Sequence, residues 1–276
     1  MSFGSRARAA RNAYGPLCVG IDPHGHLLEQ WGYGDTLDGL AKFASTCVEA
    51  FAGRVAFVKP QAAFFERFGS KGVAVLEQTV HDLRHTGSLV ILDAKRGDIG
   101  STAQAYAEAY LDEDRPMAVD AITVNPYLGF GSLEPFVKVA EANDAGLFVL
   151  ALTSNPQGHE VQHAVGQDGR TVAQSMLDQL RELNNSAPGE GSFGAVVGAT
   201  LGSVDANVDI NGPILVPGFG AQGGTIDDLQ RIFGDVINNI IPSTSRGVLN
   251  LGPDVTAMRD EAARLNDLLG SLEPRG

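Results

Sequence analysis

The chain has 276 residues, 43% of them hydrophobic, with 34 glycines and a formal net charge of −13. That suits one large globular domain and argues against a general binder of nucleic acid or of an anionic membrane; an anionic ligand must be held by local cations and backbone N–H groups. The two cysteines, Cys18 and Cys47, lie in apolar contexts and give neither a disulfide framework nor metal-ligand spacing, which fits a reducing cytoplasm.

The first residues carry Arg6, Arg8 and Arg11 without the apolar core of a signal peptide. They faintly resemble a transit peptide, yet a strand starts by Leu17 and leaves little to cleave. No apolar stretch approaches the roughly 18 residues of a membrane span. Short apolar runs predict strands over 17–21, 55–58, 89–92, 121–124, 147–152, 195–197, 214–216 and 236–241. Helical patterns fall around 36–52, 70–86, 101–112, 132–143, 170–184, 203–209, 225–233 and 254–270. Strict alternation predicts an α/β chain folded as a (β/α)8 TIM barrel, with a doubly wound open sheet as the alternative. No composition break marks a linker, so 1–276 reads as one barrel domain with a short N-terminal extension.

The most informative stretch is Asp93-Ala94-Lys95-Arg96-Gly97-Asp98-Ile99-Gly100-Ser101-Thr102. It follows Leu89-Val90-Ile91-Leu92, a run suited to a buried parallel strand. Side chains two apart on a strand share a face, so Asp93 and Lys95 should point the same way. Ser101 and Gln104 match a capping box, which predicts a helix starting there. Asp93, Lys95 and Asp98 thus crowd one strand-to-helix loop. A solvated turn needs no such cluster; the bland alternative is a structural ion-pair network.

Other unusual residues also follow strands: Asp22, Lys59, Asn125, Thr153-Ser154-Asn155-Pro156, Thr200, the 217–224 glycine-rich run and Ser245-Arg246. In a barrel these strand ends form one mouth, where active sites are built. Gly218-Phe219-Gly220-Ala221-Gln222-Gly223 matches GxGxxG, but at the seventh strand rather than in the first βα unit of a dinucleotide fold. There it suits phosphate: glycines let N–H groups approach an oxyanion, and Arg246 adds a forked donor from the eighth strand. His159-Glu160-Val161-Gln162-His163 matches HExxH but sits in a long loop without an evident third ligand, so it reads as a decoy. His24 and His26 beside Asp22 read as a polar loop rather than a metal site.

Taken together, Asp93-x-Lys95-x-x-Asp98-Ile99-x-x-Thr102, Lys59 upstream and Pro217-Gly218-x-Gly220-Ala221-Gln222-Gly223 downstream resemble the orotidine 5′-phosphate decarboxylases. The form Asp93-Ala94-Lys95-Arg96-Gly97-Asp98-Ile99 looks like the longer bacterial (type 2) branch. The resemblance runs from about Asp22 to Arg246. The central motif alone is shared with sugar-phosphate decarboxylases and synthases.

The resemblance implies decarboxylation of orotidine 5′-phosphate to UMP, the last step of de novo pyrimidine nucleotide biosynthesis, with no cofactor and no metal. It implies a catalytic Lys59-Asp93-Lys95-Asp98 array. Asp98 and Thr102 would reach the partner's site in a homodimer. Asp22 and Lys59 would bind ribose, Ser154 the pyrimidine edge, and Gln222 with Arg246 the phosphate. Asn125, Pro217, Gly220 and Gly223 join the candidate substrate-binding set. Around strand eight, Pro242-Ser243-Thr244-Ser245-Arg246 departs from the family pattern, and the 155–170 loop is long enough for a lid over the base. A metal-dependent keto-sugar-phosphate decarboxylase or aldolase, and a non-catalytic nucleotide-binding regulator, are the competing readings.

Overall fold

The structure, a computed structural model, describes residues 1–202, 204–272 and 274. Its strands are β1 (Cys18–Ile21), β2 (Phe57–Pro60), β3 (Leu89–Arg96), β4 (Ala121–Val124), β5 (Gly146–Leu152), β6 (Phe193–Val197), β7 (Ile214–Pro217) and β8 (Ile240–Thr244). Each is parallel to the next, and β8 pairs with β1, so the sheet closes into an eight-stranded barrel. Strands buried on both faces must be apolar throughout, which is why Val, Ile and Leu runs mark them in sequence.

Among the described residues the α-helices are α1 (Phe3–Tyr14), α2 (Gly25–Gln30), α3 (Leu37–Phe51), α4 (Ala62–Glu66), α5 (Gly69–Leu83), α6 (Gly100–Leu111), α7 (Glu134–Ala142), α8 (His159–Gln162), α9 (Val172–Asn184), α10 (Ile226–Phe233), α11 (Arg246–Leu249) and α12 (Val255–Leu269). None is long and apolar enough to cross a membrane.

The short N-terminal extension packs into the barrel. Phe3, Ala7 and Ala10 of α1 join Phe57, Ile91, Phe148, Leu215 and Ile241 in a buried cluster inside the barrel. Phe3 meets Phe148 edge to face at 6.0 Å. A Cβ on Gly146 would run into the Phe3 ring, so glycine there admits the plug. Arg6 pairs with Asp120 and Arg11 with Glu190, fastening α1 below the ends of β4 and β6. The arginines that resemble a targeting segment thus close the barrel floor, opposite the mouth.

Three local expectations are corrected. The eighth strand is not 236–241: Val236 lies in a 3-10 turn, Gly234–Asn239, and β8 runs on through Pro242 to Thr244. Proline usually marks a strand end, which shifts the sequence reading toward the N-terminus. No helix covers 204–209 (Ser203 lies outside the described residues). There Asn207 and Asp209 accept hydrogen bonds from the N–H groups of Asp209 and Asn211, and such Asx turns compete with a helix. Finally, α6 starts at Gly100 with Ile99 as its cap, so Ser101 lies inside the helix and forms no capping box. A reciprocal capping box occurs instead at Thr225 and Asp228 of α10.

Candidate active site

Lys59 ends β2, Asp93 and Lys95 end β3, and the carboxylate of Asp93 joins them. Lys59 Nζ donates to Asp93 Oδ2 at 3.2 Å, and Lys95 Nζ to Asp93 Oδ1 at 2.5 Å. Lys59 and Asp93 are only 5% and 9% exposed, whereas Lys95 is exposed at the mouth. Burial alone would strip both buried groups of charge. For Asp93 burial pushes the pKa up, but Lys59 and Lys95 outweigh it and hold the carboxyl down at about 2. For Lys59 burial pushes down, and the charges of Asp93 and Asp22 outweigh it and raise it above the ordinary lysine range.

Asp93 and Lys95 meet as the sequence predicts, but not through a regular pleat. The β3–β4 ladder shifts register between Leu92 and Arg96, and Lys95 has φ 50°. A non-glycine residue in that region is strained and needs support. Thr123 of β4 supplies it: its Oγ1 accepts the N–H groups of Ala94 and Lys95 at 3.1 and 3.0 Å and donates to Asp93 Oδ1 at 3.0 Å.

A cavity of about 180 Å³ opens beside this cluster. Asp22, Lys59 and Asp93 line one side, and Pro217, Gln222 and Arg246 the other. Asp22 Oδ1 is buried and has no hydrogen-bond partner among the described residues, so it is an acceptor awaiting a donor. A second, more apolar cavity of about 640 Å³ is lined by Lys95, Asn125, Leu150, Thr153, Gln162 and Met176, among others. Lys95 therefore faces a wide apolar space, while Asp93 faces a tight polar one.

The 155–170 segment borders the wide cavity and is tied to β5. Gln162 Oε1 accepts the N–H of Thr153 at 2.9 Å, and Gln162 Nε2 donates to Thr153 Oγ1 at 2.7 Å. Four residues of the HExxH stretch within it form the short α8 and His163 caps it, the His159 and His163 rings stacking at 4.0 Å. Among the described residues no group of three or more His, Cys, Asp or Glu is placed to hold a metal ion. The His24 ring packs against Phe64 at a tilt of 58°, with centroids 4.1 Å apart.

Within the glycine-rich loop the turn takes up some of its own donors. The N–H groups of Gly220, Gly223 and Gly224 bond to carbonyls within the loop. Gly218, Gly220 and Gly223 have φ of 97°, 75° and 100°, so the loop is a tight turn only glycine tolerates. Its turn presents Gln222 to the cavity, while Gly220 and Gly223 do not line it.

Three candidates stand apart from the cluster within this chain. Ser154 is exposed and lines neither cavity; its neighbour Thr153 does. Asp98 is half-buried and accepts from the N–H of Ile99 at 2.8 Å rather than from a lysine. Thr102 is exposed on α6. Sequence reasoning missed Thr123, Gln61, Ser243 and Thr244, the last three of which line the polar cavity. Gln61, Ser243 and Thr244 are polar residues at the end of an apolar strand, the same signal that marked Lys59, whereas Thr123 lies within β4 and carries no such signal.

A parallel (β/α)8 barrel with a buried ion-paired cluster and a polar cavity at its strand ends defines a barrel enzyme. Residues 15–260 match the model of the orotidine 5'-phosphate decarboxylase / HUMPS family, and the chain belongs to that family. It is 60% identical over 263 residues to the orotidine 5'-phosphate decarboxylase of Streptomyces coelicolor, covering 95% of both chains. It is also 60% identical over 273 residues to the protein of that name from a Nocardioides species, covering 98% of this chain and 99% of that one. The fold superposes on a crystal structure described as a candidate orotidine 5'-phosphate decarboxylase of Streptomyces avermitilis with a TM-score of 0.96. That pair is 57% identical and covers 98% of this chain and 95% of that one.

Proposed function

We propose that this chain is a carboxy-lyase that converts orotidine 5′-phosphate to UMP, closing de novo pyrimidine nucleotide synthesis, without a cofactor. One observation carries the mechanism: the carboxylate of Asp93 is clamped between Lys59, which lines the polar cavity with it, and Lys95, which lines the apolar one.

Gln222 and Arg246 grip the phosphate in the polar cavity. Asp22, through its unpartnered Oδ1, and Lys59 take the ribose hydroxyls. The base then extends toward Lys95 and the apolar cavity, under the 155–170 segment as a lid, with Thr153 rather than Ser154 facing it. Cleavage of the bond between C6 and the carboxylate leaves its electron pair on C6, with no delocalising group nearby. Preplaced charge is the available lever. Asp93 crowds the substrate carboxylate, and its departure as CO2 relieves that repulsion. The ammonium of Lys95 attracts the carbanion and transfers a proton to C6, then regains one from water. At about 4 Å and an effective dielectric near 20 such an attraction is worth on the order of 4 kcal/mol. Enzymes lower barriers by roughly 8–23 kcal/mol, so phosphate and ribose binding must supply positioning as well.

The same reading makes the protein a cytoplasmic homodimer. Ile99, Tyr127 and Leu128, in the loops after β3 and β4, are 62%, 74% and 54% exposed, apolar side chains that a second copy would cover; Tyr127 also lines the wide cavity. There Asp98 and Thr102 complete the partner's array. Sedimentation is expected to find a dimer that Leu128→Asp weakens; a native monomer would contradict it.

Arg246→Ala removes a forked cation from the phosphate. It is expected to raise KM for orotidine 5′-phosphate by roughly 10–100-fold, the scale of a charge-assisted hydrogen bond, while binding of phosphate-free orotidine stays unchanged. Steady-state kinetics and direct titration check this.

The activity itself is tested by adding orotidine 5′-phosphate to protein treated with EDTA and following its ultraviolet absorbance and CO2 release. Turnover to UMP is the expected result. No turnover, or a requirement for magnesium with a keto-sugar phosphate instead, would favour the sugar-phosphate reading.

A further inference from the structure

The site holds a residue to which the sequence reading gave no role. Leu92 pairs with Ile122 and Arg96 with Val124, so three residues of β3, Asp93, Ala94 and Lys95, stand opposite Thr123 alone. A regular parallel ladder cannot serve three residues from one. The Thr123 hydroxyl fills the gap. Its two lone pairs and one proton match what it does: it accepts from Ala94 N and Lys95 N and donates to Asp93 Oδ1. The residue is 1% exposed, so water cannot take over these bonds.

We propose that Thr123 is a positioning residue: its hydroxyl fixes both the left-handed backbone of Lys95 and the rotamer of Asp93, and so sets the place of the ammonium relative to the reacting carbon. The proposal rests on the decarboxylase reading above. Thr123 lines neither cavity and leaves the grip of Gln222, Arg246 and Asp22 untouched. Its loss should therefore act on the chemical step and not on substrate binding.

Thr123→Val keeps the shape and removes the hydroxyl; Thr123→Ser keeps the hydroxyl and removes the methyl. The valine variant is expected to lose about 10- to 100-fold in kcat, the scale on which a hydrogen bond to a charged group acts, with KM for orotidine 5′-phosphate changed less than about threefold. The serine variant is expected to recover kcat to within about threefold of native. A folded valine variant with native kcat overturns the proposal, as does serine failing to rescue. Should valine fail to fold, Thr123→Cys takes its place: its weak donor should leave kcat well below that of serine, and equal rates would overturn the proposal. Native protein without turnover would sink the decarboxylase reading first; native turnover with an unaffected valine variant sinks only the role of Thr123.

Discussion

Replacing Lys95 by alanine is expected to abolish measurable turnover of orotidine 5′-phosphate while UMP binds within about tenfold of native. The side chain is 44% exposed at the mouth, so its loss leaves no core cavity. Asp93 keeps Lys59 and Thr123 as partners, so the fold persists. Two contributions vanish together. The attraction between the ammonium and a carbanion at about 4 Å is on the order of 4 kcal/mol, roughly a thousandfold in rate. A positioned proton donor contributes roughly another hundredfold to ten-thousandfold. Their product places the variant about 10⁵-fold or more below native. UMP carries no negative charge at C6, so its grip by phosphate and ribose contacts survives. Single-turnover assays and UMP titration measure both sides, and near-native turnover would remove Lys95 from the mechanism.

Asp93→Asn is expected to cost stability as well as activity. Lys59 is 5% exposed, and Asp93 is the only carboxylate bonded to its ammonium among the described residues. Removing one member of a buried pair costs about 3–5 kcal/mol, which for a chain of this size lowers Tm by roughly 10 °C. Replacing both members, as in Lys59→Met with Asp93→Asn, should restore much of the lost Tm, because an apolar replacement avoids the buried charge. The double variant should still be inactive. The acid side adds a check. Asp93 titrates near 2 in the fold, below the ordinary carboxylate value of 3.8. Its stabilisation is therefore complete above the ordinary value and is lost as pH falls toward 2. Between about pH 4 and pH 2 the native Tm should fall more steeply than that of Asp93→Asn. Calorimetry across that window decides it, and parallel curves would place the stabilising charge elsewhere.

The barrel and the heart of its mouth are written locally in the chain. Buried parallel strands announce themselves as apolar runs, and Lys59, Asp93, Gln222 and Arg246 stand out because they interrupt the pattern at strand ends. What the sequence hides is pairing over distance. The floor helix α1 looks like an appendage because its partners, Asp120 and Glu190, lie more than 100 residues away. Thr123 looks like one more strand threonine because the three-to-one register opposite it belongs to two strands at once. Which N–H groups the glycine loop can offer is likewise hidden: the turn itself takes up those of Gly220, Gly223 and Gly224, while Gly218, Ala221 and Gln222 line the cavity. Asp98 and Thr102 fit the motif and Ser154 follows from the resemblance, yet in a single chain none joins the Lys59–Asp93–Lys95 cluster.

The placement of charge at C6 is tested most directly with a UMP analogue that carries an oxyanion on that carbon. A group resembling the carbanion should bind far more tightly than UMP only if the ammonium of Lys95 faces it. Native protein is expected to prefer the analogue by about a thousandfold or more, and Lys95→Ala to reduce that preference to within about tenfold of unity. A Lys95→Ala protein that keeps the native preference would contradict the account.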